Sequence, residues 1–380
     1  MKILFTGGGT GGHVFPIIAI VREIKRIASS NKNLTEVKFY YCGPKDEISA
    51  SFLKREGIEV KRIISGKVRR YLNPLTIFQN FIDILFKIPI GIFQALFYIF
   101  FLNPDIIFSK GGYGSIPSVI IGWLLQIPIF LHESDASPGM ANRFLSKFSL
   151  EIFVSFPVGK TEYFLPQKVI SVGNPIRKDI LWCTKEEAKE TFKLVGDKPL
   201  ILILGGSQGS QRINELLLQI LPEMLINFEV IQQTGQKNFE SVKGESSVVI
   251  SESLKKYYHI YPFLDEKKLC QAYAAADLIV SRAGAGSIFE IAAMGKPSIL
   301  IPLPESAQNH QVKNAYIYAK SKAALVIEEA NLTPHFFLKN LKYLFEHQEN
   351  LEEMARMAKK FSKPRAAEII AEYILSYLTK

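Results

Sequence analysis

The chain has 380 residues, of which 48% are hydrophobic and 22% charged, with a formal net charge of +10. That length suits two domains of ordinary size, and the apolar content excludes wholesale disorder. Three cysteines, Cys42, Cys183 and Cys270, lie far apart without metal-ligand spacing, and their odd number argues against a disulfide framework and for a reducing cytoplasm.

The chain opens MKILFTGGG, with no charged stretch followed by an apolar run, so no secretory signal is expected. Lys2–Thr6 predicts a strand that ends in Gly7-Gly8-Gly9-Thr10-Gly11-Gly12, and a helix-like stretch runs from there to about Ala28. Strand, glycine turn and helix open a Rossmann-like half, in which backbone N–H groups at a helix start receive a diphosphate. His13 stands where a Walker A motif needs Lys, so the turn is not a P-loop. No acid closes the next strand, Val37–Cys42, which weakens a dinucleotide reading and the NAD-dependent oxidoreductase it implies. His13 reads either as a general base or as a histidine bonded to the turn.

Charge is uneven: residues 1–160 hold 19 Lys and Arg against 11 Asp and Glu, a net +8 of the total +10. It is densest from Lys54 to Arg70, a patch suited to anionic headgroups, nucleic acid or an anionic substrate, or else a solvated face. Leu75–Leu102 follows, crowded with Phe78, Phe81, Phe86, Phe93, Phe97, Phe100 and Phe101. Asp83, Lys87 and Pro89 interrupt it, so a helix at the membrane interface is expected rather than a span; a buried core helix is the alternative.

Asp105–Ser109 predicts a strand followed by Gly111-Gly112-Tyr113-Gly114-Ser115, and Ile127–Leu131 one followed by His132-Glu133-Ser134-Asp135. Loops after the C-terminal ends of parallel strands face the ligand crevice, so these two should meet His13 on one rim. Glu133 and Asp135 are candidates for proton transfer, or simply turn residues. Glu151–Ser155 is the next strand, and prolines at 157 and 166 suggest a domain junction in 156–168.

Pro199–Leu204 repeats the opening pattern, ending in Gly205-Gly206-Ser207-Gln208-Gly209. Phe228–Gln233, Leu278–Ser281 and Ser298–Ile301 are further strands. Arg282-Ala283-Gly284-Ala285-Gly286-Ser287 follows one of them. Glu290 stands three residues after Ser287, and serves as a capping box or as an acceptor for ribose hydroxyls. Gln308-Asn309-His310-Gln311 suits sugar hydroxyls, and Pro364–Lys380 reads as an amphipathic helix. No Asp-x-Asp occurs, so a catalytic divalent metal is not indicated, and an arginine such as Arg177 would help meet a leaving diphosphate.

GGTGGH, GGYGS, HES with Asn142, GNPIR at Gly173–Arg177, GGSQGS and RAGAGSIFE occur in this order. The set resembles the MurG family of UDP-N-acetylglucosamine transferases, from residue 4 to about residue 315. The resemblance implies an α/β GT-B fold: two Rossmann-like doubly wound domains facing each other across a cleft. The acceptor- and membrane-binding domain would be 1–160, joined by the helix 364–380, and the UDP-sugar domain 161–363. It implies inverting, metal-independent and cofactor-free transfer of N-acetylglucosamine to the C4 hydroxyl of undecaprenyl-pyrophosphoryl-N-acetylmuramoyl-pentapeptide. Peripheral attachment to anionic lipids at the cytoplasmic face of the inner membrane is implied too, with no nucleic acid partner.

Carried over by position, the donor contacts fall on Thr10, Gly11, Gly12, Arg177, Ser207, Phe263, Leu264, Ala285, Gly286, Ser287, Ile288, Phe289, Glu290 and Gln311. Phe263 would stack on uracil, Glu290 would bind the ribose, and Gln311 the sugar. His13 and the His132–Asp135 loop would face the acceptor. Asp135 departs from the Asn that many members carry after the His-Glu pair.

Overall fold

The computed structural model describes residues 1–8, 11–30, 36–67, 74–157, 163–206 and 209–379, with the side chains of Ile48 and Leu75 set aside. Thr10 and Ser207, two of the expected donor contacts, lie outside the described residues, as do Arg69 and Arg70 of the basic stretch. The chain forms two compact units, one of Met1–Arg177 with Pro364–Lys380 and the other of Lys178–Lys363. The sequence-based boundary was 160/161.

In chain order the first unit holds β1 (Lys2–Thr6), α1 (Gly11–Ser30), β2 (Lys38–Gly43), α2 (Glu47–Arg55), β3 (Glu59–Arg62), α3 (Pro74–Ile82) and α4 (Ile88–Leu102). It continues with β4 (Ile106–Ser109), α5 (Ile116–Leu124), β5 (Ile129–Glu133), α6 (Met140–Leu145), β6 (Glu151–Val154) and β7 (Val169–Ser171). The second unit holds α7 (Lys185–Phe192), β8 (Leu200–Leu204), α8 (Gln211–Asn227), β9 (Glu229–Gln233), α9 (Phe239–Val249), β10 (Tyr258–Tyr261) and α10 (Glu266–Ala275). Then come β11 (Leu278–Ser281), α11 (Ala285–Met294), β12 (Ser298–Leu300), α12 (His310–Lys320), β13 (Ala324–Val326), α13 (Pro334–Glu346) and α14 (Gln348–Phe361). The last helix, α15 (Ala366–Leu378), belongs to the first unit.

Each unit is built on one parallel sheet, ordered β3-β2-β1-β4-β5-β6-β7 in the first and β10-β9-β8-β11-β12-β13 in the second. Both are doubly wound, with the order reversing between β1 and β4 and between β8 and β11. Alternate strand residues feed opposite faces of the first sheet: Ile3, Phe5 and Phe108 pack with Ile17, Ile20, Ile370 and Ile374, whereas Leu4 and Ile107 pack with Ile99, Val119 and Ile121. Burial on both faces is why these strands read as unbroken apolar runs.

The amphipathic C-terminal helix is α15, which seats Ala367, Ile370, Ala371, Ile374 and Leu375 in that first core, with Leu378 partly buried at its end. Glu368 pairs with Arg26 of α1 at 3.2 Å, and the Tyr373 hydroxyl donates to Glu151 at 3.0 Å. Burying one large aliphatic side chain stabilises by about 1.5–3 kcal/mol, so α15 is an integral part of the first unit.

α3 and α4 run as one apolar helix through a wider π-helical turn at Asp83–Lys87, with 27 residues from Thr76 to Leu102. The core-helix alternative fails here: Phe78, Phe81, Phe86, Phe93, Phe97, Phe100 and Phe101 are all exposed, Phe93 by 73%. Its opposite side faces the body, where Ala95 and Ile99 are buried in the core and small or polar groups make further close contacts. A Cβ at Gly91 would lie 2.0 Å from the Ile64 carbonyl oxygen, and buried Asp83 pairs with Lys87 and accepts from Lys67 N–H at 3.1 Å. Part of the neighbouring positive charge is internally compensated, since Lys61 pairs with Glu59 and Arg62 with Glu47, both at 2.7 Å.

The cysteine expectation is corrected. Cys183 and Cys270 form a disulfide with a Cα–Cα distance of 5.8 Å across 87 residues, and Cys42 is free and buried. The pairing exists because α10 packs on α7 and on the single turn before it, a contact that spacing along the chain does not reveal.

Candidate active site

Parallel strands send every β–α loop out of one edge of the sheet, and the point where the order reverses leaves a crevice there. In the first unit that point brings the turn after β1 against the turn after β4. Glycines make the approach possible: a Cβ at Gly114 would lie 2.4 Å from the Gly7 carbonyl oxygen, and one at Gly111 (φ +80°) would lie 1.8 Å from Asn142 Oδ1. His13, in the first turn of α1, lays its ring against both turns; a Cβ at Gly8 would be 2.9 Å from its Cε1, and one at Gly112 3.0 Å from its Nε2. The Tyr41 hydroxyl, from β2, donates to the Gly7 and Gly8 carbonyls at 3.2 and 3.3 Å.

β5 runs two residues further than expected, so His132 and Glu133 are its buried last residues, and only Ser134 and Asp135 enter the loop. His132 Nε2 donates to the Gly173 carbonyl at 3.2 Å, which leaves Nδ1 to accept from Lys110 Nζ at 2.6 Å. Lys110 also donates to Ser134 Oγ, and Ser134 in turn donates to Asn174 Oδ1 at 3.0 Å. Glu133 spends its carboxylate on its own loop: Oε1 accepts from Asp135 N–H at 2.9 Å, and Oε2 from Gly139 N–H at 3.2 Å and Asn142 Nδ2 at 2.8 Å. Asn142 Oδ1 accepts from Gly112 N–H at 3.3 Å, which ties the two turns together.

These contacts set the protonation pattern. Burial, then the neighbouring Lys110 ammonium, push the His13 imidazole down to about 4, against the pull of Asp135. The same two causes hold His132 well below its usual range, so both rings are neutral near pH 7. Burial lowers Lys110, opposed by Glu133 and Asp135; burial and the adjacent Asp135 raise Glu133. Arg177 is buried with its guanidinium 4.4 Å over the Phe15 ring of α1.

In the second unit, Gly206 (φ +89°) and Gly209 (φ +79°) shape the turn after β8, and a Cβ at Gly209 would lie 2.0 Å from the Thr234 carbonyl oxygen. Ser210 caps α8, its Oγ accepting from Ile213 N–H at 3.4 Å and from Arg282 Nη2 at 2.7 Å. That last bond joins the turns after β8 and β11, and Arg282 also bonds Glu329, which follows β13, at 2.5 Å. Gln233, at the end of β9, donates to the Gly206 carbonyl at 3.0 Å and accepts from Leu264 N–H at 3.0 Å. Beside buried Leu264, the Phe263 ring is 41% exposed.

The capping-box reading of Glu290 is corrected: α11 starts at Ala285 with Gly284 as its N-cap and no capping side chain, so Ser287 lies inside the helix. Glu290 is half-buried and accepts from the Tyr273 hydroxyl at 3.2 Å. Ala285, Ile288 and Phe289 turn into the core, whereas Gly286 and Ser287 keep exposed surface. Gln311, the second residue of α12, bonds Leu303 N–H through Oε1 at 3.1 Å. Two consecutive residues before that helix, Gln308 and Asn309, hold φ of +60° and +54°, a conformation that L residues pay to adopt.

Lys110, Asn174, Gln233 and the anchoring role of Arg282 escaped the sequence reading. Lys110 carried a signal, a charged residue directly after an apolar strand; Gln233 ends its strand, and Asn174 stood in the GNPIR motif without a role of its own.

Two doubly wound parallel sheets in tandem, each with a glycine turn at its reversal point, define a GT-B glycosyltransferase architecture. Residues 3–154 match the glycosyltransferase family 28 N-terminal domain, and residues 200–370 the family 28 C-terminal domain. A UDP-N-acetylglucosamine–N-acetylmuramyl-(pentapeptide) pyrophosphoryl-undecaprenol N-acetylglucosamine transferase of Thermoanaerobacter sp. (strain X514) is 37% identical, over 99% of this chain and 100% of its own. The protein of the same name from Clostridium tetani (strain Massachusetts / E88) is 35% identical over 100% and 98%. The crystal structure of Acinetobacter baumannii MurG superposes with a TM-score of 0.73 at 26% identity, covering 99% of each chain. The chain belongs to the MurG family of glycosyltransferases.

Proposed function

We propose that the chain transfers N-acetylglucosamine from UDP-N-acetylglucosamine to the C4 hydroxyl of a lipid-linked N-acetylmuramoyl-pentapeptide, inverting the anomeric carbon. The carrying observation is likeness over the whole length to a relative that bears this transfer in its name, at 37% identity with 99% of this chain covered. In the step, the acceptor oxygen bonds to C1, the bond from C1 to the diphosphate breaks with its electron pair leaving on UDP, and the hydroxyl proton passes to a base.

Acceptor chemistry belongs to the first unit in this reading. His13, neutral near pH 7, and Asp135, which keeps exposed surface, are the candidate bases. Glu133 serves as an anchor, because both its carboxylate oxygens are occupied by its own loop and Asn142.

In the second unit, first-turn N–H groups at Ala285–Ser287, which have no capping side chain, and Ser207 are the candidates to meet leaving-group charge; in the first, Arg177, Thr10, Gly11 and Gly12 are the candidate donor contacts. Phe263 offers an exposed face for the base, Glu290 a carboxylate for ribose, and Gln311 an amide for the sugar; Ile288 and Phe289 contribute main chain only.

The exposed phenylalanines of α3 and α4 fit an anionic membrane interface on the cytoplasmic side, where the lipid-linked acceptor is presented. UDP release by purified protein, with and without a short-chain acceptor analogue and with EDTA present, tests the whole reading. Acceptor-dependent release that survives EDTA is expected. Tight UDP-sugar binding without release would sink the acceptor assignment, and no binding at all would overturn the donor assignment as well.

A further inference from the structure

Lys110 is a buried cation that the transfer as written above does not use. Its residue exposure is 3%, it follows β4 directly, and its backbone N–H donates to the Thr6 carbonyl at 2.8 Å. Its side chain reaches across the reversal point of the sheet to His132 Nδ1, at 2.6 Å, and to Ser134 Oγ, the residue before Asp135. It also flanks His13: a Cβ placed on Gly7 would lie 3.3 Å from Lys110 Cβ and 3.4 Å from His13 Cβ. We propose that Lys110 is a positioning residue for the transfer, its ammonium fixing the Ser134–Asp135 turn beside His13 and supplying the positive charge that balances the Glu133–Asp135 pair.

Two adjacent acids, one of them fully buried, cannot both be ionised in a low-dielectric site without a nearby cation. Groups facing Lys110 are His132 and Glu133 from β5, Asp135 from the loop after it, and His13 from α1. Those facing His13 are Lys110 and Asp135, with the Tyr41 hydroxyl bonded to the same glycine turn. An ammonium here favours the unprotonated form of every one of these bases, the imidazole by repulsion and the carboxylates by attraction. Its removal therefore moves them all in one direction: they hold their protons to higher pH. That sign is the same whether His13 or Asp135 takes the acceptor proton.

The inference rests on the proposed transfer and is tested with wild-type, K110M and K110R proteins in the UDP-release assay, following kcat/KM for the acceptor against pH. In K110M the acid limb should move up by about one pH unit or more, the size of shift a close charge produces. K110R, which keeps the cation, should leave that limb near its wild-type position. Loss of activity or thermal stability in K110M with an unmoved acid limb would reduce Lys110 to a packing role and overturn the proposal. Should K110M not fold, K110Q is compared with the wild type by ring-nitrogen NMR of labelled histidines, with H13Q for assignment. A His13 titration that moves to higher pH in K110Q supports the proposal, and one that stays in place overturns it. Absence of acceptor-dependent release by the wild type is a different failure, that of the transfer itself.

Discussion

Asn142 Nδ2 donates to Glu133 Oε2 at 2.8 Å while Asn142 Oδ1 receives the Gly112 N–H at 3.3 Å. One amide on α6 thus holds the buried end of β5 and the turn after β4 in register. Replacing it by alanine leaves a buried carboxylate and a backbone donor without that partner, at a cost of about 1–3 kcal/mol for each buried group left unsatisfied. N142A should lower the thermal midpoint and cut acceptor-dependent turnover, while UDP-sugar affinity, measured by calorimetry, stays within a few-fold of wild type.

His13→Ala and Asp135→Asn separate the two candidate bases. General-base catalysis is worth about 10²- to 10⁴-fold, so the variant that loses that much kcat with donor affinity retained identifies the base. If each loses less than about tenfold, proton transfer by these side chains is the wrong picture.

The depressed His13 predicts a pH dependence of stability. Its imidazole falls from 6.5 to about 4 on folding, so the unfolded chain binds more protons between those values. Stability from this group is present above pH 6.5 and is lost as pH falls toward 4, with an upper size of about 3 kcal/mol before solvent screening of a partly exposed residue. Thermal melts of wild type and H13Q at pH 7.5 and pH 5 should therefore show a smaller acid-induced drop in H13Q. An equal drop in both would remove His13 from the account.

For the disulfide, denatured but unreduced protein should titrate one thiol, Cys42, and reduced protein three. A crosslink closing a loop of this length stabilises by about 4.5 kcal/mol on the chain-entropy relation, so reduction should lower the unfolding transition of the second unit and leave the first in place.

The aromatic face of α4 predicts membrane affinity. Substituting Phe93, Phe97 and Phe101 together by serine removes three exposed rings. Because burying one such side chain is worth about 1.5–3 kcal/mol, sedimentation with anionic vesicles should weaken at least tenfold. Soluble turnover of a short-chain acceptor should change little. Unaltered vesicle binding would move the membrane contact elsewhere.

The central strands were legible because parallel strands buried on both faces are apolar throughout, as in Leu200–Leu204 and Ile106–Ser109. The four strands that escaped, β3, β7, β10 and β13, are the two edges of each sheet. Edge strands are short and only half covered, so Glu59–Arg62 keeps the polar residues that disguised it as part of a basic patch. The glycine turns were legible as well, since close backbone approach leaves no room for a Cβ and so marks the sequence itself.

Local pattern therefore determined the class of fold, the two glycine turns and the family, because strand burial and tight turns impose residue types on the chain. Tertiary structure alone decided which polar groups act on each other. The pairing of Lys110 with His132, of Asn142 with both Glu133 and Gly112, and of Cys183 with Cys270 joins residues with no periodic relation. Those contacts come from strand order and helix packing, which bring distant segments to one sheet edge, and their energies depend on a burial that no single segment possesses before the chain folds.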